Sequence, residues 1–181
     1  KPPLIYLLAA VAGSVFWFRL ILLVWNLVHV AIVNNLLKKL LPGKKWLVWG
    51  GSLVFILLTS LPILEGNIAN GEIFMTMPTT IGMLLLWISQ SVKAQKRKSI
   101  TVFLAGMMFA VGFLFKIPVA ADVVAGGLVF WIFRHKLEGL VSFGLGFGLP
   151  IAVILGIWQL QGVAPQELMR TAIGSTGYVS S

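Results

Sequence analysis

Long apolar runs fill this chain, and short polar gaps of two alternating kinds separate them. Residues 15–37, 46–64, 73–92, 99–115, 117–133 and 139–161 each fall within or near the ~17–25 residues that a helix needs to cross hydrocarbon. The runs are continuous, without the period-two alternation of a membrane barrel, so they predict helices. The expected fold is all-α: a polytopic transmembrane helical bundle of about six spans. Residues 2–14 are apolar but short, with prolines at their start, and predict a juxtamembrane helix on the outer face. The runs 99–115 and 117–133 are the shortest of the six, which predicts a hairpin that either sits deep or tilts little.

The gaps set an orientation. One kind is basic: Lys38-Lys39 with Lys44-Lys45, then Lys93 with Lys96-Arg97-Lys98, then Arg134-His135-Lys136. The other kind holds Glu65 and Glu72, then Lys116, then Glu167 and Arg170. Cytoplasmic connections carry an excess of Lys and Arg. Every second gap follows that rule, which predicts an integral, multi-pass membrane protein, its expected setting a bacterial or archaeal plasma membrane. By the same alternation Lys1 falls on the outer side. The chain therefore reads as one transmembrane domain truncated at both ends, with at least one further crossing upstream.

Composition agrees with a bilayer as solvent. The chain is 59% hydrophobic and 10% charged, against about 25% charged in a soluble domain. The net charge of +9 does not point to nucleic acid, because ten of the fourteen basic residues lie in the cytoplasmic gaps. There they set topology and attract anionic headgroups. Cysteine is absent, so thiolate metal sites and disulfides are excluded. The seven tryptophans lie mostly near expected helix ends, where indole rings favour the interface. Gly144-x-Gly146-x-Gly148 follows no strand and predicts close helix packing rather than a nucleotide loop.

Candidate chemistry gathers on the outer face. Glu72 follows Asn70-Gly71 and opens the third run. It is either a carboxylate favoured by the helix dipole or an acid/base group. Glu65 reads as a solvated loop residue with a lesser claim to function. Lys116 interrupts Phe113-Leu114-Phe115 and Ile117-Pro118-Val119 on the side that the positive-inside bias does not explain. It either snorkels to the headgroups or holds a phosphate as a point charge. Asp122 is the one carboxylate within an expected span, and is paired or functional. Arg19, near the outer end of the first run, has the same two readings. His29 is mid-span and reads as a hydrogen-bonded packing residue; no second outer histidine supports a zinc site. Cations and carboxylates at one face suit an anionic lipid headgroup.

Several short motifs bear on the function. Lys1-Pro2-Pro3-Leu4, Arg19-Leu20, Asn70-Gly71-Glu72 with Pro78, and Gly112-Phe113-Leu114-Phe115-Lys116-Ile117-Pro118 occur in that order over residues 1–134. In kind and order they resemble the protein mannosyltransferase and aminoarabinose transferase-like enzymes (family 39), polytopic glycosyltransferases of the C-type superfamily. The resemblance implies transfer of a sugar from a polyprenyl-phosphate-linked donor to a glycan, lipid or protein acceptor on the extracytoplasmic face. It implies that Lys1 contacts the lipid phosphate, with Lys116 and Arg19 as helpers. It places Glu72 at the position of the second outer-loop acid, where relatives often carry Asp. The family's principal acidic loop would precede Lys1. Tyr178, in the last outer loop, is the one further residue there that the resemblance touches. No cofactor is identified and use of a divalent metal is undetermined. The competing expectations are a transporter or flippase-like bundle, and a noncatalytic subunit packing through its Gly-rich span. Transporters place polar groups and broken helices near mid-bilayer, whereas the charges here collect at one face.

Overall fold

The computed structural model describes residues 3–60, 71–134 and 137–162, the side chains of residues 129–134 excepted. Lys1, Glu65 and Tyr178 lie outside them, as do Glu167, Arg170 and most of the third basic gap. Seven helices and no strand occur among the described residues: α1 (Pro3–Ala12), α2 (Val15–Leu40), α3 (Lys45–Ser60), α4 (Gly71–Ser91), α5 (Gln95–Phe115), α6 (Val119–Arg134) and α7 (Leu137–Leu160). Four of them, α2, α4, α5 and α7, are long and apolar enough to cross a membrane. The other two expected spans coincide with α3 and α6, each 16 residues long. At ~1.5 Å per residue these reach about 24 Å, less than the ~30 Å of hydrocarbon in a typical bilayer.

Local chemistry explains the breaks. Gly13 adopts φ +67°, and its N–H bonds the Ala9 carbonyl at 3.1 Å, closing α1 with a left-handed residue that only glycine adopts without strain. Ser14 then N-caps α2, accepting from the Trp17 N–H at 3.4 Å. Pro118 disfavours helical backbone at Ile117. So α5 stops at Phe115, Lys116 is extended (φ −158°, ψ 133°), and α6 starts three residues later.

Helix α5 is the centre of the bundle, flanked by α4 and α7. Phe109, Ala105, Val102 and Val119 are fully buried there, with Leu86 and Phe143 beside them. Glycines let the backbones meet. A Cβ on Gly82 would lie 2.8 Å from the Phe109 ring, and one on Gly106 2.8 Å from the Phe147 nitrogen. Gly146 abuts the Phe103 backbone in the same way. Of the glycines expected to pack α7, only Gly146 does so. Gly144 and Gly148 face open space, because residues two apart on a helix point in different directions.

Pro78 lies inside α4 and removes the amide that would bond the Phe74 carbonyl. Around it Thr76, Thr79 and Thr80 donate their hydroxyls to carbonyls of their own helix, those of Ile73, Thr76 and Thr76 at 2.7, 2.9 and 2.8 Å. The helix runs through the proline without a break. Tryptophans 17, 46, 49 and 87 are exposed, as interfacial rings are; Trp25 instead turns inward.

Candidate functional site

The chain's antiparallel path brings the start of α4 beside the end of α5. Glu72 is the second residue of α4, where an anion is favoured, and Lys116 caps the end of α5, where a cation is favoured. Their side chains form an ion pair between Lys116 Nζ and a Glu72 carboxylate oxygen. Gly71 makes the approach close: a Cβ there would lie 2.7 Å from the Phe115 carbonyl oxygen. The pair keeps access to the surroundings, with Lys116 35% and Glu72 53% exposed. Glu72 has further contacts besides this one.

An aromatic floor lies beneath. Phe74, fully buried, stacks on Phe115 (5.7 Å between centroids, 21° between planes) and on Phe18 (5.7 Å, 24°). Trp25 meets Phe74 and Phe115 edge-on at 5.4 and 5.8 Å. Leu4, Ile5 and Leu8 of α1 pack against this cluster. Helix α1 therefore sits at the same end of the bundle as the ion pair. Among the described residues, Trp25 Nε1 and Asn26 Oδ1 are buried without a hydrogen-bond partner.

Arg19 does not join the pair. Phe18 points into the aromatic floor, and Arg19, one residue on, lines a groove of about 440 Å³ between α2 and α3. Asn26, Thr59 and Ser60 supply the groove's other polar lining, and Leu23, Leu27 and Ile56 part of its apolar wall. Arg19, Leu23, Asn26 and Val30 are spaced i, i+4, i+7, i+11, one face of a helix. That signal was present in the sequence, and Asn26 was not taken up from it. Asp122 lies in the first turn of α6 rather than deep in a span. It forms no ion pair among the described residues, and its position suits the helix dipole.

His29 is packed and hydrogen-bonded as expected, to partners the sequence did not name, and a second polar contact was not foreseen. His29 is 1% exposed, its Nε2 2.9 Å from Thr80 Oγ1 and its Nδ1 3.5 Å from Thr76 Oγ1. Its ring meets Phe55 edge-on. Thr76 and Thr80 are four apart and share one face of α4, a spacing readable in advance. At the other end of the bundle Gln95 Nε2 donates to Glu138 at 2.9 Å. No group of three or more His, Asp or Glu side chains able to hold a metal ion occurs among the described residues. Compared with protein families, curated proteins and solved structures, the chain matches none.

Proposed function

We propose that this chain belongs to a membrane glycosyltransferase that moves a sugar from a polyprenyl-phosphate-linked donor to an acceptor at the extracytoplasmic face. The observation that carries the reading is the Glu72–Lys116 pair, a carboxylate and an ammonium held together and accessible at one end of an apolar bundle. Such a transfer breaks the bond between the sugar's anomeric carbon and the phosphate oxygen, and forms one to the acceptor's oxygen or nitrogen. The acceptor's proton goes to a base, and the lipid leaves as polyprenyl phosphate. In this reading Lys116 exchanges Glu72 for the phosphate and stabilises the charge that develops there. Glu72, released from its partner, takes the proton. Arg19 and the α2–α3 groove accommodate the lipid, with Lys1 as a further phosphate contact. Helices α3 and α6 complete six crossings.

A transporter is the second reading, favoured by the buried His29 and its two half-buried threonine partners at mid-helix. Against it, α4 is unbroken there and both threonine hydroxyls are engaged by backbone carbonyls. The cluster thus resembles a packing contact more than a substrate site. The test is release of polyprenyl phosphate from a labelled donor by the intact protein in proteoliposomes. Release is expected for the wild type and is expected to fall ~10²-fold or more in Glu72→Gln, with a loss of similar sense in Lys116→Ala. Unchanged turnover in both variants removes the assignment, and solute uptake without sugar transfer replaces it with transport.

A further inference from the structure

At the end of the bundle opposite the ion pair, the α2–α3 hairpin encloses a second cavity, of about 270 Å³. Lys38 from the end of α2, with Lys44 and Lys45 from the start of α3, surround it, over Leu41, Val48 and Trp49. The three lysines put like charges close together along one short turn. No carboxylate pairs with them among the described residues.

A defined turn holds them there. The Lys44 N–H bonds the Leu41 carbonyl at 3.2 Å, with Pro42 and Gly43 between and Gly43 at φ +77°. This is a type II turn, with proline at its second position and a left-handed glycine at its third. The Leu41 N–H is tied back to the Leu37 carbonyl at 2.8 Å. The lysines therefore border the cavity from a fixed turn, and a ligand there need not order a loop. The surround is amphipathic. Val48 is buried at the floor, Trp49 is 71% exposed at the rim, and Leu40, Trp46 and Leu47 present apolar surface outward. The volume lies below the ~300–1,000 Å³ of pockets that take a whole drug-sized ligand, and so suits a headgroup whose remainder lies outside.

Three lysines bordering one turn, an exposed indole and apolar flanks together match an anion carried on acyl chains. We propose that this cavity binds the headgroup phosphate of an anionic phospholipid from the leaflet at the lysine-rich end of the bundle. The site is separate from the Glu72–Lys116 pair, and its test does not depend on any transferase activity.

The full chain is incorporated into phosphatidylcholine nanodiscs containing graded phosphatidylglycerol, and retained lipid is counted by native mass spectrometry. Lys44→Gln/Lys45→Gln, which keeps Lys38 and Lys39 for topology, is expected to weaken phosphatidylglycerol retention about thirtyfold. Lys93→Gln/Lys96→Gln removes the same charge from the α4–α5 connection and is expected to leave it unchanged. Trp49→Ala, which keeps every lysine, is expected to weaken it severalfold, and remains informative if the lysine variant folds poorly. Equal losses in the two lysine pairs, or no loss in Trp49→Ala, overturn the proposal in favour of diffuse surface attraction. Displacement by millimolar inorganic phosphate without preference for phosphatidylglycerol over phosphatidylcholine overturns it in favour of free phosphate.

Discussion

Exchanging the two charges of the ion pair, as Glu72→Lys with Lys116→Glu, separates a helix latch from a reacting pair. The pair is partly exposed, Lys116 by 35% and Glu72 by 53%, so its attraction contributes about 0.2–1 kcal/mol to stability. The exchange keeps that attraction but reverses both charges relative to the helix ends. It sets a cation at the start of α4 and an anion at the end of α5, two opposed terms of about 0.3–1 kcal/mol each. Because each term changes sign, the swapped protein is expected to lose about 1–4 kcal/mol in detergent-based denaturation, with the coupling between the positions still measurable by a double-mutant cycle. Turnover behaves differently. The swap moves the base away from the start of α4 and presents a carboxylate where the phosphate needs a cation. Polyprenyl phosphate release is then expected to fall ~10²–10⁴-fold. A swapped protein that is stable and turns over like the wild type refutes the catalytic assignment and leaves the pair as a latch.

Three further outcomes test the packing. Gly146→Ala, whose Cβ meets the Phe103 backbone, should destabilise the bundle by about 1–3 kcal/mol; Gly148→Ala, with open space around it, should be nearly neutral, both read by thermal melting in detergent. Gly71→Ala should push Glu72 away from Lys116, lowering turnover and melting temperature together, because the new methyl faces a carbonyl oxygen at 2.7 Å. His29→Leu removes one interhelical hydrogen bond to Thr80 and should cost about 0.6–1.7 kcal/mol, with turnover unaffected.

Helix positions were legible because hydrocarbon demands long uninterrupted apolar runs, and because Pro42-Gly43 and Pro118 break them where the structure does. That Glu72 and Lys116 share an end of the bundle was also legible, from alternation of the gaps. That they touch was not. They are 44 residues apart on different helices, and the register between helices is set by packing, which a one-dimensional pattern does not contain. The same limit explains the glycines. Small residues in α7 announced close approach, but only the rotation of the helix against α5 decides that Gly146 meets a neighbour and Gly144 does not. Arg19 was grouped with the other cations by charge and side. The stacking of Phe18 on Phe74 turns it toward a different groove. Trp25, expected near the interface, is drawn inward by Phe115, which adjoins Lys116, and by Phe74, two residues from Glu72.

The glycine contacts of α5 and α7 bear on how the molecule moves. Where main chain rests on main chain at Gly106 and Gly146, no cushion of side chains remains to absorb a displacement. The two helices are therefore expected to move together rather than slide past one another. One end of this helix pair holds Glu138 bound to Gln95, and the other carries Lys116. A displacement at the Glu138 end is thus expected to be passed along α5 to the ammonium at its far end.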